Sequence, residues 1–190
     1  EERKRAVEAQ LRARYAGFSR PAFLALPVMG AYDRYYKRFD KTYHVQLQVE
    51  SIVLKGKNLP AVSPLVDANF MAEVDTLVLT AGHDVHRLQA PLVIDSSRAG
   101  DQAVQMNGAV KALPAGDMIM RDSGGVACSI LYGQDNRSPI SPATTAALYV
   151  AYAPAGVGAE AVGAQLQAIV DNIRIFAPGV VVEQLRVIEA

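Results

Sequence analysis

The hydrophobic period of this chain changes once, near Thr76, and that change restricts the fold more than any single motif. Before it, apolar residues recur at helical spacing. Residues 4–16 carry a helical pattern that Gly17 ends, and RPAFLALPVMGAYDRYYKRF (20–39) resumes it after Pro27. HVQLQVESIVLKG (44–56) fits either period, but its good helix formers and terminal Gly56 favour a helix. Ser63-Pro64 reads as an N-cap followed by proline at the first helical position, opening a helix to about Val74. Asp67 then lies in a first turn, where the exposed N–H groups favour a carboxylate.

Beyond Thr76 the apolar runs are short and separated by Gly, Pro and Asp. TLVLTA (76–81), PLVIDSS (91–97), AVQMN (103–107), DMIMRD (117–122) and GVACSILY (125–132) read as strands. RDSGGV (121–126) is a hairpin-turn signature joining two of them. TTAALYVAYAP (144–154) is a further strand ended by Pro154. A helix is expected from Ala159 to Phe176, stopped by Pro178-Gly179, and VVVEQLRVI (180–188) is expected as a closing strand. Helices first, then many strands with one late helix, predict an α+β fold: a mixed or antiparallel sheet packed with helices, behind an N-terminal helical lead-in.

At 190 residues the chain suits one compact unit, here divided into a basic lead-in (1–57) and a main α+β domain (58–190). The lead-in holds 12 Lys and Arg against 6 Asp and Glu, a net of +6, and the remainder holds 7 against 13, a net of −6. Such a basic segment suits phosphate neutralisation, while solvated helix faces account for the same charges. Cys128 is the single cysteine, so neither an internal disulfide nor a cysteine-based zinc cage can form, in keeping with a reducing cytoplasm. The first fifteen residues hold no apolar stretch of signal-peptide type. No run of about 18 apolar residues suggests a membrane span.

Polar chemistry concentrates in VDANFMAEVDTLVLTAGHDVHRL (66–88). Its His83, Asp84 and His86 suggest a metal site, but a fourth ligand would have to come from a distant carboxylate, and a turn-and-cap cluster explains the same residues. AGVGAEA (155–161) matches a dinucleotide fingerprint in Gly156, Gly158 and Ala161. Pro154 and the lack of strand–helix alternation argue against that reading. Cys128 sits in an apolar strand and Ser123 in a turn, so no nucleophile arrangement emerges. No metal and no cofactor is therefore expected. The residues alone leave the function open.

The order of segments adds to this. ESIVLKGKNLP, SPLVDANFMAEV, GHDVHRL, PLVIDSSRAGDQAVQMNG, LPAGDMIMRD and SPISPATTAALYVAY, in that order, resemble the B3/B4 domain of the phenylalanyl-tRNA synthetase beta subunit. The chain is more similar still to free-standing B3/4 proteins, which join a basic helical lead-in to that domain. The similarity spans roughly residues 45–175. In the synthetase this domain is the editing site, which hydrolyses the ester of mischarged tRNA by orienting the aminoacyl group and a water. The resemblance thus implies a tRNA-binding, cytoplasmic protein that acts on aminoacyl-tRNA in trans. A non-catalytic module for a small amino-acid-like or nucleoside-like ligand is the alternative.

Asp67 and Asp84 align with the family's two aspartates and are expected to be structural. Phe70, Ala81 and Tyr149 stand where that domain carries a pocket asparagine, histidine and glutamate. Asn69 and His83 are the neighbours expected to reach the pocket and the candidates for catalysis. Gly108, Gly133, Gln134, Arg137, Thr144 and Thr145 complete the expected substrate-binding set. Arg34, Lys37, Arg38, Lys41, Lys55 and Lys57 are the expected contacts to the RNA backbone.

Overall fold

The computed structural model describes residues 1–188. These form two compact units, one of residues 1–79 with the described residues from 153 onward, the other of residues 80–152. The division does not fall at residue 57: two further helices belong with the N-terminal ones. The first unit holds α1 (Glu2–Arg14), α2 (Arg20–Leu24), α3 (Pro27–Lys37), α4 (His44–Lys55), α5 (Pro64–Thr76) and α6 (Ala159–Arg174). The second holds β1 (Thr80–Asp84), β2 (Val93–Ser96), β3 (Gln102–Val104), β4 (Val110–Ala112), β5 (Met118–Asp122), β6 (Gly125–Ser129), β7 (Gly133–Gln134) and β8 (Ala147–Ala151). The protein is α+β, and every strand pairing among the described residues is antiparallel.

In the helical unit, α1 buries Val7 and Leu11, and Tyr15 just past its end continues the same spacing. A second stripe, Lys4, Glu8 and Arg12, has the same spacing and holds the connection from α4 to α5. Lys4 Nζ donates to Pro60 O at 2.6 Å and to Asp67 Oδ2 at 3.0 Å, and Leu59 N donates to Glu8 Oε1 at 2.7 Å. Arg12 donates to the carbonyls of Ile52 and Lys57, satisfying acceptors where α4 ends at left-handed Gly56 (φ 64°). Arg14 pairs with Asp75 at 2.7 Å. Lys4, Arg12 and Arg14 of the basic lead-in therefore serve the fold.

Helix α5 begins where expected, with Ser63 extended and Pro64 following, but the Ser63 hydroxyl makes no capping bond; Asp67 Oδ1 instead accepts from Val62 N at 2.9 Å. It ends where left-handed Leu77 (φ 67°) breaks the helix. Tyr43 Oη donates to Leu77 O and Leu79 N donates to Tyr32 Oη, both at 3.0 Å, with the two rings stacked 4.2 Å apart. These bonds use backbone groups that a strand at 76–81 would need, so the first strand starts only at Thr80. Asn172 Nδ2 donates to Ala68 O and Thr76 Oγ1 donates to Gln165 Oε1, joining α6 to α5 beside buried Val162, Ile169 and Ile173.

In the β unit, β1 pairs with β8, β3 with β4, and β2, β5, β6 and β7 form a four-stranded sheet in that order. The β5–β6 hairpin turns at Ser123-Gly124, as RDSGGV predicts, with Asp122 opposite Gly125. Ala103, Leu113, Ile119 and Val126 form a local core against Tyr132. Strands β4 and β7 are too short to show in the apolar pattern. The expected strand at 180–188 does not form; no described strand pairs with it, and Val181 is 79% exposed.

Lys4 is 5% exposed and Arg5 is exposed. Replacing Lys4 by Met leaves Asp67 without its cation and should cost about 2–4 kcal/mol in chemical denaturation, whereas Arg5→Met should stay within about 0.5 kcal/mol.

Candidate functional site around His83

Strand β1 places His83 in the β unit with its side chain fully buried. What fixes the ring is the stretch QDNRS (134–138), in which a carboxylate precedes a serine by three residues and closes a turn. Asp135 Oδ1 accepts from Ser138 N at 3.1 Å and from Ser138 Oγ at 2.7 Å. Ser138 O accepts from Asp84 N at 2.9 Å, and a bridge between His83 and Pro139 aligns the two segments. Ser138 Oγ then lies 2.8 Å from His83 Nδ1. Gln134 Nε2 donates to Ser138 O at 2.8 Å and stands 3.3 Å from the same Nδ1. His83 Nε2 is buried and meets no hydrogen-bonding group among the described residues.

Behind this group lies an ion cluster of two buried carboxylates and one half-buried guanidinium. Arg137 contacts Asp135 Oδ2 through Nε at 2.7 Å and reaches both carboxylate oxygens of Asp122. The side chains of Asp122 and Asp135 are 0% and 1% exposed, so both charges depend on this one guanidinium. Gln89 N and Gly124 N also donate to Asp122, tying the hairpin turn into the cluster. Burial raises the Asp122 carboxyl's affinity for its proton, but these bonds outweigh it and hold the carboxyl below its usual range.

Burial lowers the His83 pKa to about 4; the negative charges of Asp135 and Asp122 offset part of that effect. The imidazole is neutral at pH 7. His44, in the helical unit, is likewise lowered to about 4 by burial, and Tyr36 Oη lies 3.2 Å from its Nδ1.

The remaining expected site residues are dispersed. Gln134 and Arg137 join His83. Gly133 (φ 84°) precedes Gln134 in β7. Thr144 Oγ1 donates to Asp84 Oδ2 at 2.8 Å while His86 N caps on Oδ1, the structural part expected of Asp84. Thr145 is exposed, 3.4 Å from His86 Nε2. Gly108 turns the exposed tip between β3 and β4. Asn69 is buried in α5 and belongs to the other unit. Tyr149, where the resemblance implies a glutamate, has its pKa pushed above the ordinary 10 by burial. Among the described residues, no three His, Cys, Asp or Glu side chains are placed to hold a metal ion. Asp135 and Ser138 escaped the sequence reading; the Asp-x-x-Ser spacing signals their turn, but not its histidine.

The expected RNA contacts lie in the helical unit. Arg34, Lys37 and Arg38 are exposed along α3 and its end, with Lys37 paired to Asp33 at 2.7 Å and Arg38 over the Tyr35 and Phe39 rings. The helix stops in a Schellman motif: Asp40 is left-handed (φ 54°) and Lys41 N donates back to Tyr36 O. Lys55, the last residue of α4, and Lys57 just beyond it are exposed. Among the described residues, no helix is long and apolar enough to cross a membrane. Comparison with protein-family models found no match, and a search among curated proteins found no significant relative.

Arg137→Met strips both buried aspartates of their countercharge and should destabilise the protein by about 3–5 kcal/mol in urea unfolding. A second expectation concerns pH. The folded pKa of His83 lies below its ordinary 6.5, so the stability tied to its neutral form is complete above pH 6.5 and lost as pH falls through about 4. The loss should be on the order of 3 kcal/mol, and His83→Gln should remove that part of the slope in a pH series of unfolding curves.

Proposed function

We propose that this chain is a tRNA-binding, editing-like protein that hydrolyses mischarged aminoacyl-tRNA in trans by positioning a water. The order of its segments, similar to the B3/B4 domain and to free-standing B3/4 proteins, supports the reading. So does its α+β class, and so do the exposed cations Arg34, Lys37, Arg38, Lys55 and Lys57, which suit a phosphate backbone. The observation that carries it is His83: a neutral, buried imidazole whose Nε2 is committed to no protein group.

A pKa of about 4 makes this histidine a weak base at pH 7. It suits orienting a water rather than holding its proton. In the proposed reaction the water oxygen adds to the ester carbonyl carbon and the bond to the ribose oxygen breaks. The water's proton ends on that oxygen, giving free amino acid and uncharged tRNA. Alignment of the reactants supplies the rate. The exposed cations hold the tRNA, and none of them is needed for the chemical step.

A non-catalytic module for a small amino-acid-like or nucleoside-like ligand is favoured by one set of observations: Phe70, Ala81 and Tyr149 at the positions where the resemblance implies a pocket asparagine, histidine and glutamate. A panel of misacylated tRNAs separates the two readings. Hydrolysis predicts ester loss that falls about 100-fold in His83→Gln and keeps an even rate from pH 6 to 8. The binding module predicts intact esters throughout, with thermal stabilisation by free amino acids or nucleosides.

A further inference from the structure

Ser138 sits between two groups that compete for its single hydroxyl proton, and this settles the state of His83. Asp135 Oδ1 lies 2.7 Å from Oγ and, as a carboxylate oxygen, only accepts. His83 Nδ1 lies 2.8 Å from the same Oγ. A hydroxyl bonded to a carboxylate makes the stronger, charge-assisted bond, so the proton points to Asp135. The face of Oγ toward His83 then carries lone pairs, and Nδ1 must donate. The opposite tautomer would set two lone pairs against each other at 2.8 Å and bury an N–H on Nε2 with no acceptor. Gln134 Nε2 favours an accepting Nδ1, but at 3.3 Å its contact is longer than the 2.8 Å from Ser138 Oγ, and its shorter bond goes to Ser138 O.

We propose that Asp135 and Ser138 are positioning residues that lock His83 as the Nδ1–H tautomer, so that Nε2 presents a lone pair and its site takes a hydrogen-bond donor. Arg137 holds Asp135 in place from the far side, and Asp122 anchors Arg137. The group that meets Nε2 is therefore a water O–H, a ligand hydroxyl or an ammonium, and a carboxylate is rejected. The lock itself depends only on the chain. The identity of the donor rests on the proposed function, where it is the attacking water.

The test is multiple-bond ¹H–¹⁵N NMR on the full chain at pH 7, with the His83 signals assigned by their loss in His83→Gln; with three histidines the spectrum is simple. A protonated Nδ1 and a bare Nε2 are expected in the wild type. Ser138→Thr, which keeps the hydroxyl, should preserve that pattern, and Ser138→Ala should shift His83 to a mixture or to the Nε2–H form. An Nε2–H ring in the wild type overturns the proposal, as does an unchanged pattern in Ser138→Ala. Hydrolysis is read separately on the same samples, where Ser138→Ala should lower kcat about tenfold with KM unchanged and Ser138→Thr should restore it. A locked tautomer with no hydrolysis of any ester upholds the relay and refutes the proposed reaction. The converse result, hydrolysis with an Nε2–H ring, refutes the relay alone.

Discussion

One guanidinium holds the β unit's polar interior together. Arg137 faces two buried carboxylates that would otherwise carry uncompensated charge, and each carboxylate organises a different piece of chain. Asp122 accepts from Gln89 N and Gly124 N, and so shapes the hairpin turn and the loop before β2. Asp135 closes the turn that brings Ser138 to His83. Such a cluster adds little net stability compared with apolar packing, because desolvation offsets most of the attraction. Its value is that it permits one arrangement, since any other leaves a buried charge unpaired.

That constraint explains why His83 can be both buried and defined. An imidazole among apolar groups would be neutral but free to choose its tautomer. Here the same segment that buries the ring also supplies the hydroxyl and carboxylate that orient it. The helical unit reaches definition by a similar device. Three polar side chains one turn apart on α1 take up the backbone and side-chain groups of the loop leading into α5. Lys4 is thereby buried and Arg12 partly covered, while other cations of the helical unit, among them Arg5, Arg34 and Lys37, stay exposed. In both units, ionisable residues that composition counts as surface charge serve the interior.

Most helices were legible because their signals are local. Ser63, Pro64 and Asp67 mark the start of α5 within five residues, and Gly56 marks the end of α4 by its left-handed backbone. The β5–β6 hairpin was legible for the same reason. What was not legible depends on partners distant in sequence. TLVLTA has a strand's composition, yet Tyr32 and Tyr43, more than thirty residues earlier, take its backbone groups. VVVEQLRVI has strand propensity, but no described strand lies beside it. At the site, His83, Gln134 and Arg137 were named from sequence, while Asp135 and Ser138 were not, since Ser138 and His83 are 55 positions apart. Asn69, named as an equal candidate, belongs to the other unit.

A functional role for this imidazole requires that His83 Nε2 meet the ligand. An aminoacyl-adenosine with an amide in place of the ester is not cleaved, so it can be titrated into ¹⁵N-histidine-labelled protein while the imidazole nitrogens are observed. A saturable shift of His83 Nε2, with His44 and His86 unmoved, is the predicted result. A bound analogue that leaves His83 unchanged would contradict the assignment of this imidazole to a functional site.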